Sequence, residues 1–300
     1  MNTRRGIIAG GNWIVDHVKT IDSWPLQDTL ANILGEVRGN GGSPYNVLKN
    51  LAKLGADFPL EAVGLVGDDE NGRYILEDCS MHGINCAQLR TTREAPTSYT
   101  DVMTVQTGGR RTFFHQRGAN AHLEPAHFDF RSTRASHCHI GYALLLDRLD
   151  FPGPGGLPRI AEVLRTARKF GMSTSLDCVS EHSDRFDSVV LPTLPEVDVL
   201  FVNDFETEKL AHRPLRKRDA LIPQEVETAG RILLGQGVRK AVVIHFPEGA
   251  CACVNECAPI WQASVQLPSE KIAGAAGAGD AFAAGVLLAL LNEEPWERAL

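Results

Sequence analysis

The stretch that most constrains the fold is a run of small residues near the end of the chain, followed at once by an apolar segment. Residues 273–279 are all alanine or glycine, Asp280 comes next, and residues 281–291 are all apolar or glycine. This pattern is typical of a buried helix whose first N–H groups face a ligand, because small residues let the backbone approach it. A carboxylate in the first turn either stabilises the helix or serves an anion site, and this segment alone favours neither interpretation.

Composition and charge exclude several classes of function. The 300 residues have a formal net charge of −7 at pH 7, whereas a nucleic-acid surface needs a basic surplus or a basic cluster. The longest apolar segment is too short to span a bilayer, and the N-terminus lacks the form of a signal peptide. Seven cysteines, an odd number, are typical of reduced thiols. We therefore expect a cytoplasmic protein with small-molecule partners, no nucleic acid and no membrane.

Short apolar segments alternate with longer amphipathic ones along most of the chain. Residues 6–9, 60–66, 137–140, 174–176, 198–202 and 241–244 predict buried strands, and 43–54, 73–82, 157–170 and 225–234 predict helices. Ser43 is predicted to cap the first helix, with Pro44 in its first turn. A mixed segment at 17–38 and a hairpin signal at 97–116 interrupt the alternation. The sequence thus predicts an α/β fold with a lid.

Polar side chains follow several of the predicted strands. Asp16, Asp177 and Asn203 each stand at a strand exit, and Glu206 follows three residues after Asn203. In an open parallel sheet, ligands bind beyond the carboxyl ends of the strands, so these groups are expected in one crevice, although each acid alone is more often a loop cap. An acid for proton transfer, a helix N-terminus for an oxyanion and an Asn/Glu pair for a hydrated metal are the groups that phosphoryl transfer to a hydroxyl needs.

Several motifs occur in order along nearly the whole chain. They are Gly-Gly-Ser-Pro-Tyr-Asn at 41–46 with Asn-Leu-Ala-Lys-Leu-Gly at 50–55, the loop at 64–72, Gly-Ala-Asn at 118–120, Asn-Asp-Phe-Glu at 203–206 and Gly-Ala-Gly-Asp-Ala-Phe at 277–282. In this set and order the chain resembles the ribokinase-like sugar kinases of the phosphofructokinase-B family. The resemblance implies one kinase domain over residues 1–300, with a three-layer αβα core around a mostly parallel, nine-stranded or similar sheet. It also implies a small β lid formed by segments at about 13–40 and 97–117.

The resemblance also assigns roles to individual residues. Asp280 would be the general base that takes the proton from the sugar hydroxyl, and the migrating phosphoryl charge would be held by the backbone of Gly277, Ala278 and Gly279. The sugar would be bound by Asp16, Gly41, Gly42 and Asn46. The phosphate donor would be ATP, held near Asn203, Asp177 and Gly249, and Mg²⁺ with its waters would be organised by Asn203 and Glu206. A homodimer through the lid is a further expectation.

Two departures from the family pattern fall on the nucleotide side. Gly274-Ala275-Ala276 lacks the hydroxyl groups usual before the Gly-Ala-Gly-Asp motif, and His245-Phe246-Pro247 replaces the usual Thr-x-Gly. These departures leave the phosphate donor and activation by a monovalent cation open. Two alternatives therefore stand beside the sugar kinase: a nucleoside kinase of the same fold, and a catalytically weak relative that binds or senses a sugar.

Overall fold

The computed structural model describes residues 4–268 and 277–300. Its strands are β1 Ile7–Gly11, β2 Ile14–Ile21, β3 Ile33–Gly41, β4 Leu60–Gly67, β5 Asn85–Thr92, β6 Ser98–Val105, β7 Arg111–Gln116, β8 His137–Ala143, β9 Ser173–Cys178, β10 Val199–Asn203, β11 Arg216–Lys217, β12 Ala220–Leu221, β13 Ala241–Phe246, β14 Gly249–Val254 and β15 Ile260–Ala263. Its α-helices are α1 Ser43–Lys53, α2 Glu70–Met81, α3 Asp147–Asp150, α4 Arg159–Lys169, α5 Asp204–Ala211, α6 Pro223–Gly235, α7 Ala278–Leu291 and α8 Trp296–Ala299.

A nine-stranded sheet forms the centre of the described structure. Its strand order is β15-β14-β13-β10-β9-β8-β1-β4-β5, and every pair from β13 to β5 is parallel, whereas β14 and β15 are antiparallel. The short apolar runs form these strands because a parallel sheet is covered on both faces. The predicted nine-stranded, mostly parallel sheet is therefore confirmed.

Helices cover both faces of this sheet and make a three-layer structure. Neighbouring residues of one strand show this directly, because Ile7 and Ile8 are both fully buried but belong to separate apolar cores. One core includes the inner faces of α4 and α6, and the other includes those of α1, α2 and α7. None of the helices in the described ranges is long and apolar enough to cross a membrane.

A second, four-stranded sheet is built from the segments that interrupt the strand–helix alternation. Its order is β3-β2-β6-β7, in which β2 and β6 are parallel and the outer pairs are antiparallel. The mixed segment at 17–38 includes most of two long strands, β2 of eight residues and β3 of nine. Apolar and polar residues do not alternate regularly along β2 and β3. The sequence pattern therefore does not identify these segments as strands.

The carboxyl ends of the parallel strands meet where the strand order changes direction. From β1 the chain proceeds to β4 and β5 on one side and to β8, β9, β10 and β13 on the other. A crevice opens at such a point because neighbouring connections leave in opposite directions. Asn12 after β1 and Tyr142 near the end of β8 lie at this point, and the Tyr142 N–H donates to Asn12 Oδ1 at 2.5 Å.

The start of α1 differs from its prediction. Gly42 is the N-cap with φ 93°, a left-handed conformation that favours glycine, and Ser43 is the first residue of the helix. A Cβ at Gly42 would lie 2.0 Å from the Asn12 carbonyl oxygen. The prediction that Ser43 caps this helix is therefore wrong, and its hydroxyl is directed to partners in β8 and β9 instead.

Candidate active site

Asp280 lies in the first turn of α7 and is 2 % exposed. Its Oδ2 accepts hydrogen bonds from Asn46 Nδ2 at 2.8 Å and from the Tyr142 hydroxyl at 2.7 Å. Its Oδ1 is equally buried and has no partner within residues 4–268 and 277–300. The carboxylate is thus held by two other elements, not by the N–H groups of its own helix, which favours a site over simple helix capping.

Burial controls the charge of this carboxyl. Desolvation raises the pKa of Asp280 to about 6, while the hydrogen bonds from Tyr142 and Asn46 lower it. A carboxylate with such a pKa is ionised near neutral pH and still basic enough to take a proton efficiently. The geometry and the pKa together suit a general base.

Asp177 at the end of β9 lies close to Asp280. Burial raises its pKa well above the ordinary value, and the negative charges of Asp280 and Glu206 raise it further. Two neighbouring carboxyls in a desolvated site do not readily ionise together. The two carboxyls therefore favour sharing one proton, and the deep burial of Asp177 favours its residence there.

Asn203 and Glu206 come together where β10 runs into α5. Asn203 Oδ1 accepts from the Glu206 N–H at 2.8 Å, and Glu206 Oε2 accepts from the Asn203 N–H at 2.9 Å, so the pair forms a capping box. The Ser180 hydroxyl donates to Glu206 Oε1 at 2.7 Å, and desolvation raises the pKa of Glu206 to about 7. Both carboxyl oxygens are therefore already hydrogen-bonded within the protein.

This arrangement tests the fit of Mg²⁺. In the part of the chain with described side chains, no group of three or more His, Cys, Asp or Glu residues converges as a metal cage. Mg²⁺ usually keeps several waters and is shared between one or two carboxylates and substrate phosphates. Asn203 and Glu206 fit that outer role, because their hydrogen-bonded oxygens can still accept from metal-bound water.

The residues assigned to the sugar lie at the junction of the second sheet and α1. Asp16 in β2 approaches Gly41 so closely that a Cβ there would lie 2.4 Å from Asp16 Oδ2. Burial raises the pKa of Asp16, and hydrogen bonding from Thr100 opposes this. Asn46 connects this group with Asp280. The structure thus brings Asp16, Gly41 and Gly42 together beside α1, whose Asn46 donates to the candidate base.

The first N–H groups of α7 form the candidate anion site. Gly277 is the N-cap with φ 75°, and the N–H groups that follow it at Ala278 and Gly279 have no acceptor one turn earlier in the helix. A Cβ at Gly279 would lie 3.1 Å from His245 Cε1, so the imidazole packs against this helix end. Burial lowers the pKa of His245, which leaves the ring neutral beside the site. The other departure from the family pattern, at residues 274–276, lies outside the described residues.

A cavity of about 940 Å³ borders the candidate base and the nucleotide-side groups, whereas Asp16, Gly41, Gly42 and Asn46 are not among its lining residues. It is lined by Asp177, Asn203, Glu206, His245, Gly249 and residues 277–280. Gly249 is required for packing as well, because a Cβ there would lie 2.2 Å from the Gln262 carbonyl oxygen. The cavity therefore contains all of the residues assigned to the nucleotide, and Asn46 connects it with the sugar side through Asp280.

Sequence reasoning missed Tyr142, which donates one of the two hydrogen bonds to the candidate base. Tyr142 stands two residues after the end of the predicted strand at 137–140, so the strand-end rule that selected Asp177 and Asn203 applies to it equally. The sequence therefore contained a signal for Tyr142. His245 was noted only as a departure, and its contact with Gly279 depends on the packing of β13 against α7.

Comparisons with known proteins show which family and which fold this chain resembles. A family model described as pfkB family carbohydrate kinase matches residues 12–300. The ATP-dependent ribose-1-phosphate kinase of Halopiger xanaduensis is 30% identical over 297 residues, covering 96% of this chain and 85% of that protein. The ribokinase of Schizosaccharomyces pombe is 24% identical over 270 residues, covering 87% and 77%. The solved structure of Arabidopsis thaliana ribokinase complexed with ribose and ATP has a TM-score of 0.80 at 20% identity, covering 99% of this chain and 89% of that chain. The likeness confirms the predicted ribokinase-like fold.

Proposed function

The chain belongs to the pfkB family of carbohydrate kinases, and from this premise we propose that it transfers the terminal phosphoryl group of ATP to a hydroxyl of a small sugar or sugar phosphate. The observation that carries the proposal is Asp280, buried at a helix N-terminus with one oxygen fixed by two donors and the other without a partner among the described residues. The prediction of a carbohydrate kinase is confirmed; its donor, acceptor and catalytic residues belong to the proposal.

The proposed chemical step begins at the free oxygen of Asp280. The acceptor O–H bond breaks as its proton passes to Asp280 Oδ1, and the acceptor oxygen forms a bond to the terminal phosphorus of ATP. The bond from that phosphorus to the bridging oxygen breaks, and ADP leaves with the electron pair. Asn46 and Tyr142 hold Oδ2, which keeps the base directed at the acceptor.

The charge of the migrating phosphoryl group needs fixed donors. We assign this role to the backbone N–H groups of Ala278 and Gly279, which the left-handed Gly277 directs into the cavity. Preorganised donors of this kind cost no reorganisation when charge develops. The neutral His245 beside Gly279 adds a ring nitrogen that can donate a hydrogen bond to the same oxygens.

Mg²⁺ bound with ATP would neutralise charge on the transferring phosphates. The residues proposed to hold it through its waters are Asn203 and Glu206. ATP itself would occupy the cavity side that contains Asp177 and Gly249. A monovalent cation is not assigned to any described residue.

The acceptor class is proposed from the relatives and from the sugar side. The relative from Halopiger xanaduensis is named for ribose-1-phosphate and the one from Schizosaccharomyces pombe is named a ribokinase. Asp16, Gly41, Gly42 and Asn46 offer a carboxylate, two glycine backbone segments and an amide, which suit the adjacent hydroxyls of a pentose ring. A pentose or its 1-phosphate is therefore the acceptor we propose to test first.

The test is an ADP-release assay with Mg-ATP and a panel of ribose, ribose 1-phosphate, fructose and nucleosides. The proposal predicts turnover with at least one sugar or sugar phosphate. Turnover confined to nucleosides would establish the alternative nucleoside kinase. Calorimetric binding of a sugar without turnover of any panel member would establish the sugar-binding or sensing alternative.

We also propose that the four-stranded sheet is a lid and that it pairs with a second copy. The single kinase domain over residues 1–300, with lid segments at about 13–40 and 97–117, remains a prediction; the strands β2, β3, β6 and β7 support the lid segments. Large apolar side chains are exposed on both faces of this sheet, including Ile33, Leu34, Val37 and Phe114, while the exposed Phe113 also lines the active-site cavity. Exposed apolar side chains on a small sheet favour association with another surface. Light scattering of Val37→Glu against the unchanged protein tests the dimer.

A cytoplasmic location is retained as part of the proposal. All seven cysteines are free, and five of them are buried. Cysteines packed in a core without pairing suit a reducing compartment.

A further inference from the structure

A row of polar side chains runs along one face of the central sheet. It follows β8 and β9 from the active site at their carboxyl ends toward their amino ends. β8 and β9 pair in parallel register, with His137 opposite Ser173 and His139 opposite Ser175. Alternate residues of a strand face the same side, so these four side chains share a face with Asp177. Such a row is unusual in a parallel sheet, where buried positions are mostly aliphatic.

Hydrogen bonds connect the members of this row without a gap. His137 Nδ1 lies 2.7 Å from Ser173 Oγ, and its Nε2 lies 2.7 Å from Ser175 Oγ. Ser175 Oγ also lies 2.8 Å from Nδ1 of His139. Each imidazole therefore has one ring nitrogen hydrogen-bonded on the side of the strands' amino ends. His137 and His139 share the Ser175 hydroxyl.

Ser43 completes the connection to the active site. Its Oγ lies 3.0 Å from His139 Nε2 and 3.4 Å from Asp177 Oδ2. The space that it fills exists because residue 141 is glycine, since a Cβ at Gly141 would lie 2.2 Å from Ser43 Oγ. The serine that does not cap α1 thus bridges the histidine row and the carboxyl beside the proposed base.

Both histidines are neutral in this environment. Burial lowers the pKa of His137 to about 3, with a contribution from the charge of Lys240, and burial lowers that of His139 to about 3, with a contribution from His137. A neutral imidazole has one donor and one acceptor nitrogen, and a hydroxyl both donates and accepts. A row built only of such groups has two self-consistent directions of hydrogen bonding.

The two directions correspond to the two charge states of Asp177. In the first, a protonated Asp177 donates to Ser43, each group donates to the next, and Ser173 at the far end donates to the Ser136 carbonyl, 3.3 Å away. In the second, every hydrogen bond between Asp177 and Ser173 is reversed, so that Ser173 donates to His137 and Ser43 donates to an ionised Asp177. One proton distinguishes the two states.

We propose that the row Ser43–His139–Ser175–His137–Ser173 is a proton conduit, which exchanges the proton of Asp177 with solvent at the amino ends of β8 and β9. In the outward direction the Asp177 proton passes to Ser43, and each group passes its own proton to the next. The last proton leaves Ser173 for water. Every group except Asp177 ends neutral, and the reverse sequence restores the starting state, so protons balance and no buried imidazolium is required.

The far end of the row, at Ser173, borders a cavity on the protein surface. Ser173 borders a surface cavity of about 490 Å³ together with Ser136, Arg168 and Lys240. This cavity lies at the amino ends of the strands, away from the active-site crevice at their carboxyl ends. The same cavity is also lined by Asp198 and Arg239, so charges of both signs border it, and water that enters it can accept the proton from Ser173.

A proton path to the amino ends of the strands is useful when ligands fill the active-site cavity. Asp177 lines the active-site cavity, and the charged or titratable groups facing it are Asp280, Glu206 and Tyr142. With nucleotide and sugar bound, the active-site cavity offers no water to take the proton that Asp280 gains from the acceptor. The conduit lets the carboxyl pair lose a proton before the products leave. This use rests on the proposed function, whereas the conduit itself does not.

Infrared spectroscopy tests the conduit independently of turnover. The carbonyl stretch of protonated Asp177 is identified by its loss in Asp177→Asn, with the cavity filled by Mg²⁺ and a non-hydrolysable ATP analogue. After mixing with D₂O, we expect the deuterium shift of this band to be slower by about tenfold or more in Ser175→Ala, which cuts the row at its centre. His137→Gln, further from Asp177, is expected to slow it equally. Equal exchange rates in all three proteins overturn the proposal.

A matched control separates the row from the general loss of a buried hydroxyl. Thr174 is the buried neighbour of Ser175, and its hydroxyl donates to the Glu196 carbonyl at 2.7 Å, outside the row. Thr174→Val is expected to leave the exchange rate unchanged. Slowing by Thr174→Val as large as that by Ser175→Ala overturns the proposal, because it would show a general effect on the sheet.

Turnover tests the use of the conduit in catalysis. Ser175→Ala and His137→Gln are expected to lower kcat by about three- to tenfold and to raise its solvent deuterium isotope effect, with KM values unchanged. An effect confined to His139→Gln contradicts the conduit, because it shows only local support of Ser43. Absence of turnover in the unchanged protein sinks the proposed kinase function, whereas the infrared result decides the conduit.

Discussion

The hydroxyl of Tyr142 tunes the proposed base, and its removal has a calculable effect. The hydroxyl donates to Asp280 Oδ2 at 2.7 Å and lowers the pKa of that carboxyl, against a desolvation effect that sets it at about 6. In Tyr142→Phe the ring remains, and Asn46 becomes the one donor to this oxygen among the described residues. A hydrogen bond to a charged group contributes about 1.5–3 kcal/mol, and one pKa unit corresponds to about 1.4 kcal/mol. The pKa of Asp280 is therefore expected to rise by about one to two units.

The direction of the pH effect follows from the chemistry of a base. Asp280 acts when ionised, so a higher pKa moves the acid limb of the kcat/KM profile to higher pH. At about pH 7 the ionised fraction falls from about nine-tenths to between about one half and one tenth. We expect kcat/KM to fall by about two- to tenfold at that pH and to approach the unchanged enzyme above about pH 9.

The assay is a pH profile of kcat/KM by ADP release, with a substrate selected from the sugar panel. Tyr74→Phe is the matched control, because the Tyr74 hydroxyl lies on α2 and makes one long contact with the Arg38 carbonyl, at 3.5 Å. The control is expected to keep the original acid limb. An unchanged acid limb in Tyr142→Phe refutes the assignment of this limb to Asp280.

Three further predictions follow from the same geometry. Burial raises the folded-state pKa of Asp280 to about 6, above its unfolded value, so the destabilising effect of this carboxyl on the free energy of unfolding grows as pH rises from about 4 to about 6; urea titrations of the ligand-free protein beside Asp280→Asn check this, and a stability difference between the two proteins that stays constant across the window contradicts it. Gly277→Ala forces an alanine into φ 75° and is expected to cost about 1 kcal/mol in urea unfolding and to slow turnover; unchanged values would show that this conformation is not needed. Glu206→Gln is expected to raise the Mg²⁺ concentration for half-maximal rate by about tenfold with sugar binding unchanged, and an unaltered Mg²⁺ dependence removes the metal assignment.

Much of the fold could be predicted because its signals are local. Apolar runs bounded by polar residues marked the buried strands, and the positions of Asp177 and Asn203 at strand exits placed them at one edge of a parallel sheet. The left-handed Gly42 shows the limit of local rules. A serine followed by proline is typical of a helix cap, yet the close approach of the Asn12 backbone requires glycine there and moves the helix start.

The details of the site depended on contacts between distant segments. Tyr142 and Asn46 reach Asp280 across 138 and 234 positions of the sequence. The histidine row depends on the register of β8 with β9, which places His139 opposite Ser175 across 36 positions. A pattern within one segment cannot specify such register, because it is set by the packing of the whole sheet.

The central claim is that Asp280 is the general base of a phosphoryl transfer, and Asp280→Asn tests it most directly. The variant keeps the shape of the side chain and removes its basicity. The measurement is kcat with Mg-ATP and a saturating acceptor, with calorimetric Kd values for both ligands as the control for binding. We predict a fall in kcat of about 10²–10⁴-fold, with Kd values within about threefold of the unchanged protein. Retention of more than about a tenth of the original kcat contradicts the claim.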